Sequence, residues 1–126
     1  MKNNLFKYIE NHSAKNPEKI AVHFEDTTLS YLQLFNNIEL LVSYLSRNLK
    51  CKKGDRIAIL ALNRIEFISL FYACSKLGTI LVPINWRLTS YEIINILKNV
   101  NAKLLFAESE FIESISKLHT EIPKIK

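Results

Sequence analysis

Few side chains in this sequence have types and spacings that could do chemistry. Trp86 and Arg87 are adjacent and follow Pro83, in a segment that we expect to be a loop. A large aromatic ring beside a guanidinium in a loop can meet a ligand or a partner surface, or it can pack over the edge of a sheet. The residues alone leave both roles open.

Two carboxylates and two thiols are the other candidates. Glu108 and Glu110 fall at the start of a predicted helix, where carboxylates favour the positive end of the helix dipole more often than they do acid–base work. Cys51 and Cys74 lack CxxC spacing, and the three histidines are scattered, which argues against a zinc site, a redox pair or an activated nucleophile. We therefore expect idle thiols, no metal site and no catalytic residue.

Phosphate binding places a stricter demand on the sequence, because backbone amides approach an anion best in a glycine-rich loop. The chain has two glycines, Gly54 and Gly78, which lie far apart. It contains no GxGxxG, no Walker loop and no Ser/Thr/Gly-rich run. We infer that this chain does not cradle a triphosphate by itself.

Composition and charge narrow the class of protein. Its 126 residues, 48% hydrophobic and 23% charged, suit one compact domain and not a disordered chain. The net charge of +5 is spread from Lys2 to Lys126, which disfavours nucleic-acid binding. The densest basic group, from Lys50 to Arg56, is interpreted as a solvated loop, with phosphate contact as the less favoured alternative.

The sequence shows neither a signal-peptide run near its N-terminus nor an apolar segment of about 18 residues, which a membrane span requires. We therefore expect a cytoplasmic location.

The first half of the chain predicts a helix, a hairpin and a second helix. Apolar spacing predicts a short helix over 5–14, and two β-prone runs, 20–24 and 28–31, predict a hairpin turning at 25–27. Ser30 is then a suitable N-cap for a long amphipathic helix that reaches Leu49.

The remainder predicts alternating strands and helices. Buried strands are expected over 57–62 and 79–82, with Pro83 closing the second, and a third strand over 103–107. The predicted helices are 64–77, capped by Asn63 and ended by Gly78; a helix to about 97, capped by Thr89 or Ser90; and 110–118. This order predicts an α/β fold made of βαβ units, with a mostly parallel sheet flanked by helices and an N-terminal β-hairpin.

Four ordered stretches carry a resemblance to a known family. They are Asn16-Pro17-Glu18-Lys19-Ile20-Ala21-Val22, Leu29-Ser30-Tyr31-Leu32-Gln33-Leu34, Gly54-Asp55-Arg56-Ile57-Ala58-Ile59, and Phe71 to Leu88 through Val82-Pro83-Ile84-Asn85-Trp86-Arg87-Leu88. Together they resemble the start of the adenylate-forming acyl-CoA synthetases of the AMP-binding superfamily, such as long-chain fatty acid or o-succinylbenzoate CoA ligases. The resemblance covers about 16–107 and depends on the ordered set, since single short motifs match by chance.

The resemblance implies a ligase that activates a fatty or aryl carboxylic acid with ATP and Mg²⁺ and passes the acyl group to CoA. Residues 1–126 would be its N-terminal subdomain, with the rest of the synthetase as partner. The family's phosphate loop and catalytic lysine match nothing in this chain, so we expect it to be inactive alone and to bind no cofactor tightly. Arg87 resembles the arginine of an Asn-x-Arg-Leu turn that lies near the CoA nucleotide in some acyl-CoA ligases; tying this turn to the sheet is its alternative role.

Two other hypotheses remain at this stage. Related adenylation domains that load amino acids onto carriers share the same reaction scheme. The chain could also be a stand-alone, non-catalytic protein-interaction module with the same fold, which binds through a sheet edge or the Trp86 loop. Without neighbouring segments it would expose apolar surface, and such surface favours self-association.

Overall fold

The computed structural model describes residues 4–126, which form two compact units. The helical unit contains the residues up to Lys53 together with Arg64–Thr79. The sheet unit contains Gly54–Asn63 and Ile80–Lys126. The prediction of a single subdomain over residues 1–126 stays a prediction.

The helical unit consists of three helices and a β-hairpin. Its elements are α1 (Phe6–Lys15), β1 (Ile20–Phe24), β2 (Thr27–Ser30), α2 (Tyr31–Ser43), which a π-helical turn (Tyr44–Asn48) prolongs, and α3 (Ile65–Leu77). The strands β1 and β2 pair antiparallel, with Phe24 opposite Thr27. The turn therefore has two residues, Glu25 and Asp26, and not the predicted three.

Apolar side chains from all three helices form the interior of the helical unit. Fully or almost fully buried are Phe6, Ile9, Leu34, Ile38, Leu45, Leu70, Ala73 and Cys74. Ser30 begins α2 as predicted: its hydroxyl accepts from the Gln33 amide at 3.2 Å, and the Gln33 side chain accepts from the Ser30 amide at 2.9 Å. This reciprocal pair is a capping box.

The second helix reaches Leu49 as predicted but changes its helix type, and the predicted cap of α3 was wrong. The α-helical part of α2 ends at Ser43 and a π-helical turn follows, where the Ser46 hydroxyl donates to the Val42 carbonyl at 2.8 Å and so competes with the helix ladder. The N-cap of α3 is Arg64, without a side-chain capping bond, and not Asn63. Gly78 does end α3, with a φ of 70° that suits glycine.

The sheet unit contains a three-stranded parallel sheet in the order β4-β3-β5. Its elements are β3 (Arg56–Leu60), β4 (Ile80–Pro83), α4 (Ser90–Val100), β5 (Leu104–Ala107), two 3-10 turns (Ser109–Phe111 and Glu113–Ile115) and α5 (Leu118–Glu121). The predicted α/β fold class is confirmed: helices alternate with the three strands along the chain, β3 pairs in parallel with both β4 and β5, and the hairpin precedes them.

One core supports the sheet unit. Its buried members are Ala58, Leu60, Ile84, Ile93, Ile94, Leu97, Ala102, Phe111, Leu118 and Ile125. The central strand β3 is buried along nearly its whole length, which its unbroken apolar sequence predicted.

The edge strand β4 differs from its prediction. Ile80 is 51% exposed, so β4 is not a fully buried strand. Pro83 is the last residue of the strand, as expected, and it pairs there with Ile59. In the described sheet β4 pairs with β3 alone, and proline is tolerated in an edge strand because its missing N–H interrupts no second ladder.

The prediction of a helix over 110–118 was also wrong. It forms two 3-10 turns before the short helix α5. Phe111 and Leu118 from this segment both enter the core. A helix of this length is marginal alone, so burial of these two side chains decides the local backbone.

Thr89, and not Ser90, caps α4. Its hydroxyl accepts from the Glu92 amide at 3.3 Å, and the Glu92 carboxylate accepts from the Thr89 amide at 2.8 Å. The bond from the Thr89 amide is the main cause that lowers the pKa of Glu92, followed by the bond from its hydroxyl. Because the folded pKa is depressed, the stabilisation is present at neutral pH and is lost as the pH falls through it.

Thr89→Ala should lower the free energy of unfolding by about 1 kcal/mol, because it removes the side chain that satisfies an N-terminal amide of α4. Ser90→Ala is the matched control, with an expected change below about 0.5 kcal/mol. Urea denaturation of the two variants measures both values. Equal losses in the two variants would contradict the assigned cap.

Candidate functional site

The carboxyl ends of the three parallel strands meet at one edge of the sheet. Leu60 of β3 pairs with Ala107 of β5, and Ile59 pairs with Pro83 of β4. The segments that leave this edge are 61–63, 84–88 and 108 onward. In open α/β sheets, ligands bind outside this edge, so these segments form the candidate site.

Glu108 joins two of these segments. Its carboxylate accepts from the Leu62 amide at 2.6 Å, and its own amide donates to the Leu60 carbonyl at 3.0 Å. It precedes a 3-10 turn and makes no side-chain capping bond there, so the predicted role at a helix dipole does not apply. Glu110 is exposed in that turn. Glu108 therefore holds the chain after β3 in place.

The segment 85–88 forms a hydrogen-bonded turn at the same edge. The Leu88 amide donates to the Asn85 carbonyl at 3.2 Å, and the Arg87 amide donates to the Asn85 side-chain oxygen at 3.0 Å. The second bond is a local side-chain contact that favours a turn. It fixes the backbone on which Trp86 and Arg87 stand.

Trp86 and Arg87 lie against each other on this turn. The Arg87 guanidinium carbon is 4.3 Å from the centroid of the Trp86 ring, which is a cation–π distance. The Trp86 ring also neighbours Phe111, with ring centroids 6.2 Å apart. Trp86 is 40% exposed and Arg87 is exposed, so the pair packs against the unit and still presents surface to solvent.

The Gly54-Asp55-Arg56 stretch has a structural role that sequence reasoning missed. The Arg56 guanidinium donates to the carbonyls of Val100 at 2.8 Å, Gly54 at 2.8 Å and Asn101 at 3.3 Å. The first and third of these acceptors lie at the C-terminus of α4, where carbonyls lack partners within the helix. Lys103 donates to the Asp55 carboxylate at 2.7 Å. Arg56 is half-buried in this network and does not belong to a solvated basic loop.

The thiols and the acidic residues give no chemical site. Cys51 and Cys74 are buried thiols, and burial is the largest cause that raises the pKa of Cys74. A thiol with a raised pKa is a poor nucleophile, which agrees with the predicted idle role. Within residues 4–126, no three or more His, Cys, Asp or Glu side chains are grouped as metal ligands.

The two glycines occupy backbone positions that explain their presence without a ligand. Gly54 has a φ of 86° in the turn before β3, and Gly78 has a φ of 70° at the end of α3. An added Cβ at Gly78 would lie 3.1 Å from the Lys53 side chain. Both glycines therefore serve turns.

The geometry defines an α/β protein in which turns follow the carboxyl ends of the parallel strands, and the exposed Arg87 lies on one of these hydrogen-bonded turns. A family model described as AMP-binding enzyme matches residues 9–126, and the chain belongs to this family. The resemblance inferred from the four sequence stretches is confirmed.

The sequence relatives include ligases for several acids. The fatty acid–[acyl-carrier-protein] ligase ScoC of Streptomyces coeruleorubidus is 34% identical over 90% of this chain, which covers 22% of that protein. The indoleacetate–CoA ligase of Aromatoleum aromaticum is 32% identical over 88% of this chain and is covered to 22%. The 2-succinylbenzoate–CoA ligase of Oceanobacillus iheyensis is 38% identical over 75% of this chain and is covered to 20%.

Solved structures agree with the sequence relatives. A fatty acyl CoA synthetase of Mycobacterium tuberculosis has a TM-score of 0.85 at 30% identity, with 90% of this chain and 23% of that chain covered. The anthranilate CoA ligase AuaEII, in complex with anthranoyl-AMP, has a TM-score of 0.88 at 25% identity, with 98% of this chain and 24% of that chain covered. The chain thus spans 20–22% of the length of the three sequence relatives named above. None of the helices in the described residues is long and apolar enough to cross a membrane.

Proposed function

We propose that this chain is the N-terminal part of an ATP-dependent acyl-CoA ligase, which activates a carboxylic acid as an acyl-adenylate and transfers it to CoA. The observation that carries the proposal is the family match over residues 9–126 in a chain that spans 22% of its relatives. The relatives act on a fatty acid, indoleacetate or 2-succinylbenzoate, so a fatty or aryl carboxylic acid is the proposed substrate. A cytoplasmic location belongs to the same proposal, and cell fractionation tests it.

The chain alone is proposed to be inactive. ATP needs a phosphate cradle, and the two glycines of this chain are used in turns before β3 and after α3. Mg²⁺ and ATP would be held by the remainder of the synthetase, which is the proposed partner of this chain. No catalytic residue is assigned to residues 1–126.

Arg87 is the proposed contact to the CoA nucleotide. It is exposed on the turn at the carboxyl edge of the sheet, and among residues 4–126 it forms no ion pair with a carboxylate. A guanidinium suits a phosphate because it offers two parallel N–H donors. Its alternative, a purely structural role in the turn, predicts that Arg87→Ala changes stability and leaves CoA binding unchanged.

Pyrophosphate exchange tests whether activity requires the remainder of the synthetase. The purified 126-residue chain, incubated with ATP, Mg²⁺ and a panel of fatty and aryl acids, should give no exchange above a protein-free control. The full synthetase encoded by the same reading frame should exchange with at least one acid of the panel. Exchange by the 126-residue chain would overturn the proposed inactivity, and a native stop codon directly after Lys126 would favour the alternative below.

The second candidate is a non-catalytic module that binds a protein or itself. It is favoured by exposed apolar side chains one turn apart on the second helix of the helical unit, Leu40 at 71% and Tyr44 at 47% exposure. Such surface favours association when it forms a patch. Sedimentation of the 126-residue chain distinguishes the candidates, since a strict monomer that captures no partner speaks against the module.

A further inference from the structure

The turn that carries Arg87 places its guanidinium beside the Trp86 ring. The backbone is fixed by two bonds to Asn85, one to its side chain at 3.0 Å and one to its carbonyl at 3.2 Å. The guanidinium then lies 4.3 Å from the centre of the Trp86 ring. Trp86 is itself supported by the buried Phe111. The series of contacts runs from the core of the sheet unit to the charge.

The indole of Trp86 has one N–H donor and no conventional hydrogen-bond acceptor. Its contact with the guanidinium therefore uses none of the five N–H donors of arginine. Among residues 4–126 no carboxylate forms an ion pair with Arg87 either. The charge is therefore restricted in position before any ligand arrives, and a restricted side chain loses less freedom on binding.

We infer that Trp86 is a positioning residue: its ring holds the Arg87 guanidinium in the orientation that receives a phosphate group of CoA. This inference rests on the Arg87 contact proposed above and adds a role for the neighbouring ring. Trp86 acts through Arg87 and touches no phosphate itself. Removing the ring should therefore weaken CoA binding only as long as Arg87 is present.

A double-mutant cycle tests this dependence. Coenzyme A, with pantetheine as the probe that lacks the nucleotide, is titrated into the ¹⁵N-labelled 126-residue chain, and affinities are taken from amide chemical shifts. Trp86→Ala should weaken CoA binding about two- to fivefold, the factor that an exposed cation–π contact represents. Trp86→Phe, which keeps a ring, should stay within about twofold. In the Arg87→Ala background, Trp86→Ala should cause no further loss.

Controls separate positioning from folding and from the proposed contact. Tyr91 is 75% exposed in the same unit, and Tyr91→Ala should leave CoA affinity unchanged. In Trp86→Ala the Nε–Hε signal of Arg87 should also move, because the ring current is lost. If Arg87→Ala weakens CoA binding but Trp86→Ala does not, or if the two losses add fully, the positioning role is wrong and the Arg87 contact stands. If Arg87→Ala has no effect, or CoA shifts no signal, the contact itself fails and the inference with it.

Discussion

Replacing Leu60 by alanine is expected to lower the free energy of unfolding by about 3 kcal/mol, the largest effect we predict for a single residue. Leu60 ends the central strand β3, is 0% exposed and belongs to the core of the sheet unit. The loss combines the lost transfer energy of the side chain with the cavity that its removal leaves. Urea denaturation at neutral pH measures it.

Leu62 provides a matched control for this substitution. It has the same side chain two positions later, but it is 39% exposed, and its bond to Glu108 uses the backbone amide. Leu62→Ala should therefore cost less than about 1 kcal/mol. A loss in Leu60→Ala that does not exceed the loss in Leu62→Ala would show that β3 does not lie at the centre of the core.

Replacing Arg56 by alanine should lower the free energy of unfolding by about 2 kcal/mol, because hydrogen bonds from a charged donor are worth about 1.5–3 kcal/mol. The variant leaves the Val100 carbonyl without the donor that now lies at 2.8 Å. It also removes a positive charge from the C-terminus of α4, where the helix dipole is negative. The same urea experiment measures the effect.

Arg56→Lys separates charge from geometry. Lysine keeps the positive charge but not the planar fork that reaches the carbonyls of Val100, Gly54 and Asn101. We expect an intermediate loss, roughly 1 kcal/mol. The exposed Arg47 serves as control, since Arg47→Ala should change stability by less than about 0.5 kcal/mol. Equal stability of Arg56→Ala and wild type would contradict the structural role of this network.

The sequence predicted those parts of the fold that depend on neighbouring residues. Ser30 with Gln33 forms a capping box within four positions, so its signal is local. Gly78 could be predicted in the same way, because a helix that needs a left-handed end residue takes glycine. The apolar run of β3 predicted a buried strand, since a central parallel strand is covered on both faces.

The parts that the sequence did not predict depend on distant residues. The Arg56 guanidinium bonds to two carbonyls that lie 44 and 45 positions away in the sequence. Nothing near Arg56 in the sequence indicates these acceptors. The hydrogen bond between the Glu108 carboxylate and the Leu62 amide joins residues 46 positions apart in the sequence. Thr89 and Ser90 are both suitable caps by composition, and only the geometry assigns the role to Thr89.

The candidate site also combines a feature that the sequence predicted with one that depends on a distant residue. Adjacent Trp86 and Arg87 could be selected from residue type and position alone. Whether they pack on the sheet unit or face solvent depends on Phe111, which the sequence places far along the chain. The structure shows that the pair does both, and the proposed CoA contact stays a prediction.

Calorimetric titration of the folded 126-residue chain with ATP and Mg²⁺ tests the central claim most directly, because the claim is that this part of the family's fold has no triphosphate site of its own. Circular dichroism of the same sample first establishes that the chain is folded. We expect no saturable heat of binding across the millimolar range of ATP. A saturable one-to-one isotherm in the micromolar range would contradict the account.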